Sequence, residues 1–334
     1  MSSVFSFLSG SRRFCIAFTA MAAALLSPLA HAEWHYETAE KMGTLITVQF
    51  WHEDAQTAAA LMQQSMAEFD RIENAMSTYI EGTEMWRVNE QAGEQSVVVS
   101  AELFNLIKRS IELSELTGGV FDITYDSVGV HYDFRNNERP DEEVITGNLA
   151  AIDYRALELN EEELSIRFTK PGMRINLGGI AKGYSVEQVV ALLRKNGVVS
   201  ASATAGGDSR ILGDRLGEPW IIGIRHPDKE DAVVTRLPVI DEAVSTSGDY
   251  ERFFIEDGQR YHHILDPQSG LPTEGVRSVT ILGPDGTMTD GLSTSLFVAG
   301  VTEGLKIIEK LPAYEAVIID SNGTMHYSSG LLAQ

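Results

Sequence analysis

An α+β fold with mixed or antiparallel sheets and flanking helices is predicted by three features of the chain. Short β-branched runs follow one another after residue 151 without strict alternation with helices. Two stretches with apolar residues at helical spacing precede them. Glycine pairs mark the junctions Gly118-Gly119, Gly178-Gly179 and Gly206-Gly207. With 334 residues, 43% of them hydrophobic, the chain is long enough for one large domain or two ordinary ones. It has no internal repeat or long linker, so residues 33–334 read as one unit, with two lobes sharing a cleft.

The first residues stand apart. Arg12-Arg13, the apolar run Phe14 to Leu26 and then Ala30-His31-Ala32 read as a secretory leader over residues 1–32. Export to a periplasm follows, with inner-membrane association if the leader stays attached. The single cysteine, Cys15, falls inside that leader, which excludes disulfides, thiolate metal sites and cysteine nucleophiles from the mature chain. A net charge of -22 argues against nucleic acid and anionic lipid as partners. A phosphate ligand would need a cation, local basic groups or main-chain N–H donors to enter so acidic a surface.

In order, Thr44 to Phe50 reads as a strand, and Asp54 to Met76 as a helix burying Leu61, Met62, Met66, Phe69 and Ile72. Ser100 is the N-cap expected for a second helix that stops at Gly118-Gly119. LELNEEELSIRF forms a hairpin across Asn160 to Glu163, and Ile180 to Asn196 is a helix opening from Gly178-Gly179. Strands are expected at 201–204, 220–225, 233–239, 252–255, 261–265 and 276–282. A helix pair follows over Asp290 to Leu311, and a hairpin around Ser321-Asn322-Gly323 closes the chain.

Four stretches suggest chemistry. In TAGGDSRILG, residues 204–213, Ala-Gly-Gly-Asp followed by Arg210 could wrap a ligand, although a strand-ending turn explains it equally well. In NLGGIAKGY, residues 176–184, glycines before a helix let main-chain groups approach a ligand, and Lys182 can meet a phosphate; a tight strand-to-helix turn explains the glycines equally well. In TDGLSTSLF, residues 289–297, Asp290 with Ser293 at i+3 and Thr294 at i+4 offers oxygen ligands suited to Mg²⁺; Asp290 as a simple N-cap is the alternative. In Ser245 to Gly270, His262 and His263 precede the turn Asp266-Pro267-Gln268-Ser269-Gly270, where a strand gives way to a loop.

Taken in order, MGT, MSTY, GGVFDIT, NLGGIAKGY, AGGD, STSGDYER, HHILDPQSG and TDGLSTSLF resemble the ApbE family of FAD:protein FMN transferases, over nearly the whole chain after the leader. The resemblance implies an enzyme that cleaves FAD, links FMN to an acceptor threonine and releases AMP. It implies acceptors such as membrane-exposed subunits of a sodium-pumping NADH:quinone reductase or Rnf-type complex, or a periplasmic reductase. It assigns FAD contacts to Met42, Tyr79, Val120, Phe121, Asp122, Asn176, Lys182 and Ile264, and magnesium to Gly179, Asp290 and Thr294 with Ser293 nearby. Asn176 and Lys182 stand where some relatives carry acids.

A threonine hydroxyl is a weak nucleophile, and His263 is the candidate base, oriented by Asp266 or Asp249, with Thr246 and Ser247 on phosphate oxygens. His262 is assigned a structural or ring-wall role. Two other readings remain, a Mg²⁺-dependent FAD pyrophosphatase and a non-catalytic periplasmic flavin carrier.

Overall fold

A computed structural model describes residues 33–332; the leader read at residues 1–32 lies outside the described residues. The chain begins with a hairpin, β1 (Glu33–Lys41) and β2 (Thr44–His52), on a Met42-Gly43 turn whose residues both have positive φ. Ile46, Val48 and Phe50 alternate into the core of β2. Asp54 then accepts the Thr57 N–H and caps α1 (Ala55–Met76), whose buried stripe includes the five apolar residues expected from spacing. Burying each of these large apolar side chains contributes about 1.5–3 kcal/mol.

Next come α2 (Glu84–Gln91), β3 (Val97–Val98) and α3 (Ala101–Thr117). Helix α3 has the expected signals at both ends, the Ser100 hydroxyl on the Leu103 N–H and Gly118 at φ 71° in the left-handed region. Short α4 (Asp126–Gly129) and α5 (Glu142–Leu149) precede the hairpin of β4 (Leu157–Asn160) and β5 (Ser165–Phe168), which pairs with β3.

Helix α6 (Ala181–Lys195) leads to β6 (Ala201–Ala205), β7 (Asp208–Leu212), the hairpin β8 (Trp220–His226) and β9 (Lys229–Val239), and β10 (Ala243–Gly248). Then follow the hairpin β11 (Phe253–Glu256) and β12 (Gln259–His262), β13 (Val276–Gly283), α7 (Gly286–Ile308), β14 (Glu315–Asp320), β15 (Met325–Tyr327) and α8 (Ser329–Leu332). The main sheet has the order β1-β2-β6-β7-β10-β13-β14-β15, and every pairing among the described strands is antiparallel.

One hydrophobic cluster joins α2, α3, the three-stranded sheet, β13, β14 and α7; a second joins α1, α6, β2 and β6. Helix α6 belongs to both, with Ile180 and Ala181 at its start in the first and Val186, Val189 and Leu193 in the second. Gly300, at φ 75°, breaks α7, which accounts for the expected helix pair. Helix α7 is long and apolar enough to cross a membrane by length and composition, and here it packs on β10, β13 and α6.

Candidate active site

The site is built where α6 crosses α7, and two glycines allow the crossing. A Cβ on Gly183 would penetrate the Gly286 carbonyl oxygen and lie 2.5 Å from the Asp290 Cβ. At Gly286 a Cβ would stand 2.9 Å from the Gly183 carbonyl oxygen. Ile180, at the N-cap of α6, has no side chain able to satisfy the helix's first N–H groups. Asp290 supplies that acceptor from the other helix, its Oδ2 taking the Gly183 N–H at 2.8 Å. The expectation that Asp290 starts α7 is thereby corrected. Asp285 is the N-cap, accepting the Met288 N–H at 2.9 Å, so Asp290 lies in the second turn.

Lys182 sits between two carboxylates. Its Nζ is 2.5 Å from Asp208 Oδ2 and 3.5 Å from Asp290 Oδ1, and both acids are almost wholly buried. Burial works against the lysine's charge, yet Asp208 and Asp290 outweigh it and raise its pKa. Burial, and then the like charge of Asp208, pushes the Asp290 carboxyl up. The sequence offers the Ala-Gly-Gly-Asp segment as a ligand wrap or a strand-ending turn and gives Asp208 no role of its own; its Oδ1 takes no hydrogen bond from any described residue.

A hydroxyl cluster adjoins the carboxylates. Ser247 Oγ lies 2.7 Å from Ser293 Oγ and 3.3 Å from Thr294 Oγ1. Ser293, fully buried, donates to the Asp290 carbonyl at 2.8 Å, whereas Thr294, one residue on, is partly exposed. Gly179 is adjacent, since a Cβ there would stand 3.3 Å from Thr294 Oγ1 and 3.4 Å from the Phe121 ring. Gly179, Ser293 and Thr294 therefore lie together, one helical turn from Asp290.

Carboxylate, hydroxyl and main-chain oxygens suit a hard cation such as Mg²⁺, and the unpartnered Asp208 oxygen is the kind of buried atom such an ion satisfies. No three His, Cys, Asp or Glu side chains gather among the described residues, so such an ion would also draw on hydroxyl, carbonyl and substrate oxygens.

His263 is half-buried, and its Nδ1 lies 3.3 Å from the Arg252 carbonyl. A carbonyl only accepts, so Nδ1 carries the proton and Nε2 keeps its lone pair. Burial, then the Arg252 charge, pushes the imidazole down to about 3; Lys182 adds to the shift, so the two lie within electrostatic reach. His262 is spent structurally, with Nε2 2.8 Å from the Thr273 carbonyl, Nδ1 accepting the Ile264 N–H and its ring against Phe297.

The expected orienters of His263 are corrected. Asp266 accepts the Gln268 N–H and the Ser269 hydroxyl, closing its own turn. Asp249 lies between Arg260 and Arg277. Thr246 is corrected as well. Strand alternation turns Ser245 and Ser247 toward α7, while Thr246 faces the other way and pairs with Thr280 at 2.8 Å.

The ApbE family model matches residues 42–318, a span that holds all of these residues. The chain belongs to the ApbE family. It is 30% identical to the FAD:protein FMN transferase of Treponema pallidum, over 89% of this chain and 88% of that one. Likewise, it is 30% identical to the enzyme of that name from Vibrio cholerae, over 89% and 91%. The crystal structure of the ApbE protein from Thermotoga maritima superposes with a TM-score of 0.83 at 31% identity, covering 90% of this chain and 99% of that chain.

Of the positions that the ApbE resemblance assigns to FAD, Lys182 lies at this crossing. Met42 holds φ 53° and donates its N–H to Glu73 at 3.1 Å, while Arg252 reaches the next carbonyl, of Gly43. Arg252 thus ties the Met42 turn to His263. Asn176 accepts the Gly178 N–H at 2.8 Å and donates to Asp126 at 3.1 Å, which fixes its amide and shapes the turn that presents Gly179.

Tyr79 is 84% exposed beside Thr78, whose hydroxyl lies 3.4 Å from the Asn176 amide. An aromatic ring so free of packing is available for stacking. Val120 is half-buried; Phe121 is buried against Gly179, and both Asp122 oxygens are used, on Thr124 and on the Tyr154 N–H. The Asp122 side chain is a cap, which leaves this segment its main chain to offer. Ile264 is 6% exposed, and its side chain belongs to the larger core.

Proposed function

We propose that this chain is an exported, Mg²⁺-dependent FAD:protein FMN transferase that modifies an acceptor threonine. The reading is carried by one observation: in an ApbE chain, Lys182 and an oxygen cluster of Asp290, Thr294 and Ser247 meet at the start of α6. Asp290, Thr294 and the Gly179 turn would hold the Mg²⁺, which when bound supplies charge neutralisation at the FAD pyrophosphate. Lys182 then binds a phosphate oxygen, and the N–H groups at the start of α6 add further donors.

His263 Nε2 takes the proton from the threonine hydroxyl as its oxygen bonds to the FMN phosphorus. The bond from that phosphorus to the bridging oxygen breaks, and AMP leaves with the electron pair. Tyr79 and the Phe121 segment flank the flavin ring. The leader at residues 1–32 supports a periplasmic site of action, and acceptors in membrane-exposed subunits of a sodium-pumping NADH:quinone reductase, an Rnf-type complex or a periplasmic reductase fit that location.

The test is incubation of the chain with FAD, Mg²⁺ and a candidate acceptor, followed by mass analysis. An acceptor gaining the mass of FMN, with AMP released, supports the transferase. Free FMN and AMP with the acceptor unchanged would make it a pyrophosphatase, and intact FAD would make it a carrier.

A further inference from the structure

Asp208 plays no part in the reaction described above, yet its surroundings are unusual. Its pairing with Ser245 across β7 and β10 puts both side chains on one face of the sheet, and Ser245 bonds Thr289 of α7 at 2.8 Å. Asp208 therefore faces the α6–α7 crossing, next to Asp290. One of its oxygens meets Lys182 at 2.5 Å; the other is buried and takes no hydrogen bond from any described residue. Leaving such an atom unsatisfied costs free energy, more for a charged group than for a neutral one.

The local charge also falls short. Two buried carboxylates share one ammonium, and its 3.5 Å distance to Asp290 is the longer of the two. One further positive charge between the acids would satisfy the orphaned oxygen and balance the pair. The glycines let the chain close up around the two acids, because a Cβ on Gly207 would strike the Thr246 carbonyl and one on Gly183 the Gly286 carbonyl.

We propose that Asp208 is a ligand of the divalent cation, facing Asp290 across the crossing, and that Lys182 is the resident counter-ion which the cation releases toward the substrate phosphate. The proposal rests on the transferase reading for the use made of the cation. Binding itself needs no substrate.

The experiment titrates Mn²⁺ alone into the full chain, without FAD, and follows free Mn²⁺ by electron paramagnetic resonance. Asp208→Asn should weaken Mn²⁺ binding about 10-fold or more. An unchanged affinity in a folded Asp208→Asn chain would overturn the proposal and leave Asp208 a structural partner of Lys182. Should that variant not fold, Lys182→Met carries the test, because removing the competing ammonium should tighten Mn²⁺ binding; equal or weaker binding would overturn the proposal. A wild-type chain that binds Mn²⁺ through Asp208 but modifies no acceptor would defeat the transferase reading and leave the cation site standing.

Discussion

The Oδ2 of Asp290 accepts the main-chain N–H of Gly183 at 2.8 Å, so a carboxylate in α7 caps α6. The contact requires glycine at position 183, where any Cβ would enter the Gly286 carbonyl. Gly183→Ala should force the helices apart and destabilise the chain by about 1–3 kcal/mol, the usual range for overpacking. Urea unfolding would measure the loss, and transfer activity should fall with it. Wild-type stability would show that the crossing tolerates a methyl group.

Lys182→Met removes the cation from between Asp208 and Asp290. Stranding buried charge in this way costs about 3–5 kcal/mol. The metal-free variant should melt well below the wild type, and added Mg²⁺ should raise its melting temperature by more than it raises that of the wild type. A thermal shift with and without Mg²⁺ measures both effects; equal increments would argue against a cation beside this lysine.

His263 and Asp266 should separate in assay. His263→Ala should slow transfer by about 10²–10⁴-fold, the usual contribution of a general base, while FAD still binds. Asp266→Asn should keep the wild-type rate and lose about 1 kcal/mol of stability, because its carboxylate only closes a turn. Single-turnover transfer and calorimetric FAD titration distinguish the two. A His263→Ala chain that transfers at the wild-type rate removes the histidine from the mechanism.

The same histidine sets an acid limb of stability. Its folded pKa is about 3 against 6.5 when free, so the unfolded chain takes up the proton first. Stability from this group is full above 6.5 and is lost as pH falls from there toward 3. Between pH 7 and pH 5 the loss should be about 1–2 kcal/mol. Urea unfolding at the two pH values, for wild type and His263→Gln, should show a smaller difference in the variant.

Tyr79 offers a contrast between binding and stability. Being 84% exposed, its loss should change stability by less than about 0.5 kcal/mol. Loss of a stacked ring should nonetheless weaken FAD binding by roughly 2–10-fold, which flavin fluorescence quenching would report. Unaltered FAD affinity in Tyr79→Ala would remove the tyrosine from the ring wall.

Elements with strong local chemistry were legible in the chain. Ser100 caps α3 where its side chain predicts, α1 runs over the stretch its apolar spacing marks, and the turn at residues 160–163 joins β4 to β5. Strands β1, β7 and β10 were not legible, for different reasons. Strand β1 is an edge rich in acids, β7 opens on Asp208 and buries Arg210, and β10 is made of small and hydroxyl residues. Such residues enter a sheet interior when a facing helix supplies partners, as α7 does for Ser245 and Ser247. Within the site, the spacing from Asp290 to Thr294 was readable because it is local to one helix. Asp208 depends on pairings distant in sequence, whereas the partners of Asp266 lie two and three residues on, and its turn was readable as a structural one.

The order of the main sheet has a consequence for biogenesis. Each strand lies beside its predecessor or successor among the strands of that sheet, and one long closure, from β2 to β6, spans the segment that carries α1 to α6. A chain emerging from its N-terminus can lay down the sheet in that sequence. Asp290 arrives only with α7, after Lys182 and Asp208 are already in place, so a chain truncated before α7 would present Lys182 and Asp208 with no partner carboxylate across the crossing. The α6–α7 crossing is thus among the last contacts the nascent chain can complete.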